Sequence, residues 1–99
     1  MAKIEAKREV QGMSASECYQ ACLSSIEQTG YRLFKKRDLA NLIICNETIE
    51  GQRVSLSLMV PFGSPTTINL NLSSDEMDES ALQSEAERIL DSIFTNLNL

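Results

Sequence analysis

Residues 42–60 read LIICNETIEGQRVSLSLMV, and this stretch decides the fold. Its second half alternates apolar and mostly polar side chains, which is the period-two pattern of a strand that buries one face. Its first half is rich in β-branched residues, which favour strands. Glu50-Gly51, between the two halves, is typical of a hairpin turn. The stretch therefore predicts two antiparallel strands, over residues 41–49 and 53–60.

Three further segments have the pattern of strands. Residues 3–10 alternate between charged and mostly apolar positions, and residues 66–73 alternate apolar or threonine side chains with small polar ones. Residues 31–36 form a short segment with a basic end. Prolines 61 and 65 cannot continue a hydrogen-bonded ladder, so the segment between them is predicted to be a rigid loop.

Two helices are predicted, over residues 15–29 and 77–96. Ser14 and Glu17 have the spacing of a capping box at the start of the first helix, and Gly30 suits its C-terminal end, where a positive φ is needed. Acidic residues crowd the start of the second helix, where the helix dipole favours anions. Each helix has one apolar stripe, which must pack against the sheet.

The predicted element order is β-α-β-β-β-β-α, within a single domain of 99 residues. Counting strand directions in an antiparallel sheet places the first strand beside the fifth, which gives the sheet order 1-5-4-3-2. The first and second strands are the most heavily charged, as suits the edges of a sheet. The sequence therefore predicts an α+β fold, with a five-stranded antiparallel sheet and two helices packed on one face.

The layout from Lys3 to Asn96 resembles the TATA-box-binding-protein-like fold, in which a long C-terminal helix covers a curved antiparallel sheet. It is also similar to a shortened helix-grip domain of the START and pollen-allergen type. The resemblance lies in the layout and involves no residue motif, so it implies a fold and no activity. The helix-grip likeness implies an alternative function, which is to bind a small apolar ligand between the second helix and the sheet.

The composition argues against several function classes. The chain has no histidine, so Ser-His-Asp and Cys-His nucleophile pairs cannot be built within it. Cys18 and Cys22 fit a core helix stripe, and with Cys45 they are too few for a four-ligand zinc site. A net charge of −5 disfavours nucleic acid and membrane surfaces as partners. We therefore expect no catalysis, metal or cofactor, and three sparse cysteines with no leader-like apolar stretch favour a cytoplasmic location.

Four consecutive apolar residues, from Leu42 to Cys45, point to a contact surface. Successive side chains of a strand face opposite sides, so either Leu42 and Ile44 or Ile43 and Cys45 must lie outside the helix-covered core. Small, weakly charged side chains of the two following strands share that outer side. The candidate interface residues are Leu42, Ile44, Met59, Ser57, Asn69 and Asn71. We therefore expect a non-enzymatic interaction module that forms a homodimer, or binds a protein partner, through its open sheet face.

Two other residues are candidate anchors for a ligand or a partner. Arg8 falls on the inward side of the first strand, where it either binds an anion or pairs with a carboxylate. Phe62 is a lone aromatic residue in the proline-flanked loop, where it either caps the core or contacts a partner. The basic cluster over residues 32–37 is typical of a solvated edge strand.

Overall fold

The computed structural model describes residues 1–97 and confirms the predicted α+β fold. The sheet has five antiparallel strands in the order β1-β5-β4-β3-β2. The strands and helices, in chain order, are β1 (Ala2–Val10), α1 (Ala15–Ile26), β2 (Leu33–Arg37), β3 (Leu42–Ile49), β4 (Gln52–Met59), β5 (Thr66–Ser74) and α2 (Glu79–Leu97). Short 3-10 turns at Glu27–Thr29 and Asp38–Ala40 join α1 to β2 and β2 to β3.

The first helix is shorter than its sequence pattern predicts. Its start agrees with the predicted capping box. Ser14 Oγ accepts from the amide of Glu17, and the Glu17 carboxylate accepts from the amide of Ser14. Its end does not, because the backbone tightens into the 3-10 turn after Ile26 before Gly30 reverses it at a φ of +97°. The Thr29 hydroxyl donates to the carbonyl of Ile26 and thereby satisfies a free helix-end acceptor.

Two other elements begin two residues later than predicted, whereas the ends of the remaining strands agree to within one residue. β2 begins at Leu33 rather than at Tyr31, because the Tyr31 ring lies fully buried in the core. α2 begins at Glu79 rather than at residue 77, because Ser74 holds the preceding turn: its Oγ accepts from the amides of residues 76 and 77. Asp78 Oδ1 then accepts from the amide of Ala81 at 2.8 Å, in the manner of an N-cap.

The β3–β4 turn determines which side chains of β3 face the core. Glu50 and Gly51 have φ values of +51° and +80°, so they form a two-residue turn of the kind that suits a hairpin. The flanking residues Ile49 and Gln52 are paired, and this register places Ile43 beside Leu58 and Cys45 beside Leu56, all of them buried. The sequence left open which pair of β3 residues faces outward, and the structure places Leu42 and Ile44 there.

The core lies between the helices and one face of the sheet. Large side chains of α2 fill the space above the central strands, and Leu82, Ile89 and Ile93 are each fully buried. α1 contributes Cys18 and Cys22, which are also fully buried. Both helices therefore cover the same face, and no helix within residues 1–97 lies on the opposite face of the sheet.

Candidate contact face

The outer face is the side of the sheet that points away from α1 and α2. Strand pairing aligns its side chains in rows that cross all five strands. The first row consists of Arg37 on β2, Leu42 on β3, Met59 on β4, Asn69 on β5 and Lys7 on β1. Each member is the registered partner of its neighbour, so these side chains stand side by side.

The second row lies one pleat repeat further along the strands. It consists of Lys35, Ile44, Ser57, Asn71 and Glu5, taken from β2 to β1. The two rows together contain every one of the six interface residues expected from the sequence. The structure therefore brings all of them onto one continuous surface.

An apolar patch, formed by Leu42, Ile44 and Met59, lies on the β3 and β4 part of the outer face. All three side chains are half-buried in the single chain. Leu42 and Met59 are direct cross-strand partners, and Ile44 lies two residues from Leu42 on the same side of β3. The patch is contiguous, and it remains accessible to a second molecule.

A shallow depression of about 320 Å³ lies beside the patch. Ile44 stands at its edge, and the small side chains of Ser55, Ser57 and Ser73 form part of its lining. Since serines cannot fill the space that larger residues would occupy, this part of the outer face is concave. The depression can receive an apolar side chain from another molecule.

A second depression, of about 430 Å³, is polar and of mixed charge. Arg32 and Arg53 contribute to it together with three acidic residues. Its groups already have partners within the chain: Arg32 Nε lies 3.4 Å from Glu47 Oε2, and Glu76 Oε1 accepts from the amide of Arg53 at 3.0 Å. This depression is therefore a less favourable contact site than the apolar patch.

The two ends of the rows differ in charge. On β1, Lys7 Nζ lies 3.6 Å from Glu5 Oε1, so that end is locally neutral. On β2, Lys35 and Arg37 are both positive, and neither forms an ion pair with another residue between 1 and 97. Between them, the strands β3 to β5 place no charged side chain in either row. The face thus has an uncharged centre and one strongly basic rim.

Asn69, in the first row, has an unsatisfied hydrogen-bonding group. Its Oδ1 atom is buried and has no donor among the residues that the structure describes. A buried acceptor that lacks a donor costs about 1–3 kcal/mol. Asn69 therefore carries an unsatisfied acceptor within the first row.

Arg8 and Phe62 lie apart from the two rows. Arg8 Nη1 is 2.8 Å from Asp91 Oδ1, and the guanidinium lies 5.4 Å from the centre of the Phe94 ring. These partners on α2 fit the structural interpretation of Arg8, in which a carboxylate pairs with the inward charge. Phe62 lies in the loop between β4 and β5 with 65% of its surface exposed, so it does not cap the core.

The residues with potential chemical reactivity are held in structural contacts. Cys45 is fully buried, and burial raises the pKa of its thiol to about 11. Asp38 Oδ1 accepts a 2.7 Å hydrogen bond from Tyr19, whose pKa is raised to about 12, first by burial and then by that carboxylate. Within residues 1–97, no cluster of three or more His, Cys, Asp or Glu side chains is placed to hold a metal ion.

Sequence reasoning did not assign Lys35 and Arg37 to the contact face. Their strand contains a β-bulge between Leu33 and Lys35, which shifts the pairing with β3 and aligns Lys35 with Ile44 and Arg37 with Leu42. The charge pattern of residues 32–37 was visible, but nothing in the sequence marked the bulge. The same strand exposes Phe34 by 69%, which the pattern also did not indicate.

Comparisons with known proteins assign no family to this chain. No protein-family model matches it, and no curated protein is significantly similar to it in sequence. In the part of the chain that the structure describes, neither helix combines the length and apolar character needed to cross a membrane. The outer face is the feature of this chain that points to a function.

Proposed function

We propose that the protein is a non-enzymatic interaction module that forms a homodimer by packing the outer faces of two copies against each other. The observation that carries this proposal is the apolar patch of Leu42, Ile44 and Met59 on a sheet face that no helix covers. We further propose that it acts in the cytoplasm, where its three free cysteines would remain reduced.

The distribution of charge on the outer face supports a contact surface. Specific interfaces have a core depleted in charged residues and a polar rim. The centre of the outer face follows this pattern, with Met59, Ser57, Asn69 and Asn71 on the two central strands and charged residues on the edge strands. A face evolved only for solvation in a chain with 23% charged residues would place some of those charges at its centre.

The size of the face suits a dimer of modest affinity. Five strands about 4.8 Å apart and about 27 Å long cover roughly 650 Å² of face per copy. Two such faces bury about 1,300 Å² in total if all five strands overlap and about 1,000 Å² if four do, which is near the lower end of specific interfaces. Because association also costs rotational and translational freedom, we expect a dissociation constant in the micromolar range.

The alternative function, binding of a small apolar ligand in the helix-grip manner, requires space between α2 and the sheet. The observed packing disfavours it, because Leu82, Ile89 and Ile93 already fill that region and are fully buried. Neither depression described above lies in that region. The 320 Å³ depression opens on the outer face, and the 430 Å³ depression is lined by polar residues such as Arg53 and Glu76. A fluorescent apolar probe such as anilinonaphthalene sulfonate tests this alternative: bright, saturable binding that is unchanged in Met59→Lys, and therefore does not involve the outer face, would favour it.

Sedimentation equilibrium tests the homodimer. We expect the native chain to shift from monomer to dimer between about 1 and 200 μM, and Met59→Lys to weaken that dimer at least about 30-fold, since it places an unpaired charge at the centre of the contact. Gln83→Lys is the matched control, because it makes the same charge change at an exposed position of α2. Circular dichroism checks that both variants fold. A native chain that remains monomeric at 1 mM would refute the proposal.

A further inference from the structure

We propose that the two copies are related by a twofold axis that runs parallel to the strands, between β3 and β4, so that β2 of each copy lies over β5 of the other. In this arrangement Arg37 and Lys35 of one copy lie over Asn69 and Asn71 of the second copy. The inference rests on the proposed homodimer and specifies which residues of the second copy complete the face.

For two sheets packed with their strands aligned, the twofold axis runs either parallel to the strands or across them, and charge distinguishes these two arrangements. An axis that runs across the strands keeps each strand over its own counterpart, which places Arg37 over Lys35 of the other copy. Both side chains are positive and neither has an ion-pair partner among residues 1–97. Juxtaposed like charges at an interface are strongly unfavourable. An axis parallel to the strands avoids this contact, because it carries β2 over the uncharged strand β5.

The parallel axis also places a donor beside Asn69. It maps each row onto the same row of the other copy, so the Arg37 guanidinium of one copy faces the Asn69 amide of the other. The Asn69 Oδ1 atom has no donor within the described chain.

The shape of the outer face fits the same axis. β3 of one copy lies over β4 of the other, so Ile44 faces Ser57 and Leu42 faces Met59. Ser57 is part of the lining of the 320 Å³ depression, which therefore receives the Ile44 side chain of the second copy. In the second row the large Ile44 side chain opposes the small Ser57 side chain, and in the first row the apolar side chains of Leu42 and Met59 meet. This is the interdigitation by which packed sheets exclude water.

Cross-linking between variants that each carry one added cysteine tests the axis. We would mix Arg37→Cys with Asn69→Cys and, separately, Arg37→Cys with Lys35→Cys, and add a bis-maleimide with a spacer of about 10 Å, which matches the spacing of packed sheets. The native cysteines are fully buried and do not compete. We expect cross-linked dimer in the first mixture and at least about tenfold less in the second.

The outcomes separate this inference from the proposed function. Preferential cross-linking of the Arg37→Cys and Lys35→Cys mixture, in a protein that sediments as a dimer, would overturn the axis and leave the homodimer intact. A protein that sediments only as a monomer would overturn both. A second measurement is the dissociation constant of charge variants. Arg37→Glu should raise the dissociation constant of the dimer about tenfold, and the control Arg32→Glu should change it by less than about twofold. Tighter association of Arg37→Glu would contradict the parallel axis, because the other axis places residue 37 over a lysine.

Discussion

Two adjacent isoleucines allow a sharp test of the β3 register. Ile43 is fully buried against the helices, whereas Ile44 is half-buried on the outer face. The perturbation is the same in both cases, a change of isoleucine to alanine. The two variants share the same substitution, the same strand and adjacent positions. A difference in their unfolding free energies therefore reports on which face of the sheet each residue occupies.

The expected magnitudes follow from the burial of each side chain. Ile43→Ala removes three buried carbon atoms from a close-packed core, which costs about 3 kcal/mol of unfolding free energy. Ile44→Ala removes a partly solvated group from an uncovered face, and we expect a cost below about 1 kcal/mol in the monomer. For a domain of this size, the two losses correspond to decreases in Tm of about 12–24 °C and less than about 8 °C.

Urea denaturation followed by circular dichroism measures both effects. Protein at about 1 μM keeps the chain monomeric, so that the loss of a dimer contact does not add to the Ile44→Ala result. Equal losses for the two variants, or a larger loss for Ile44→Ala, would refute the register and with it the assignment of Leu42 and Ile44 to the outer face. At 200 μM, we expect Ile44→Ala to be the variant that weakens association.

Three further predictions concern the rest of the fold. Stability should fall above pH 9, because the pKa of Cys45 is raised from its unfolded value of about 9 to about 11 in the folded state. The unfolding free energy that this difference contributes is fully present below pH 9, and about 1 kcal/mol of it is lost at pH 10. Urea titrations at pH 8 and pH 10 measure this loss. A double-mutant cycle with Arg8→Met and Asp91→Asn should give a coupling energy below about 1 kcal/mol that shrinks in 0.5 M NaCl, since both side chains are partly exposed; an undiminished coupling would contradict this account. Gly51→Val should lower the unfolding free energy by about 1–2 kcal/mol in the same assay, and Gly51→Asn by clearly less, because asparagine tolerates a positive φ.

The fold could be predicted from the sequence because its local signals agree with one another. The alternation in β4 and β5 identified the buried face, the capping box fixed the start of α1, and the charges of residues 3–9 marked an edge strand. Strand direction then left the order 1-5-4-3-2 as the consistent solution. The observed bounds of β2 and α2 differ by two residues at their starts, where a buried ring and a serine cap replaced the regular element.

The outer face could be predicted only in part. That some β3 residues must face outward followed from four consecutive apolar side chains, but which ones depended on the length of the turn. The two-residue turn requires Glu50 to adopt a positive φ, which a glutamate rarely does, so the residue pattern did not favour it over a longer loop. The bulge that aligns Lys35 with Ile44 and the unsatisfied Asn69 oxygen are properties of three-dimensional packing and have no signature in the residue pattern.

The pairing of β1 with β5 has a consequence for biosynthesis. The partners Val10 and Thr66 are more than fifty positions apart, and among residues 1–97 β1 has no other neighbouring strand. At a translation rate of about 10 residues per second, the nascent β1 segment waits about 6 seconds for the first residue of its partner to be made. Its alternating lysines and glutamates keep that waiting segment hydrated and discourage pairing with neighbouring nascent chains on a polysome.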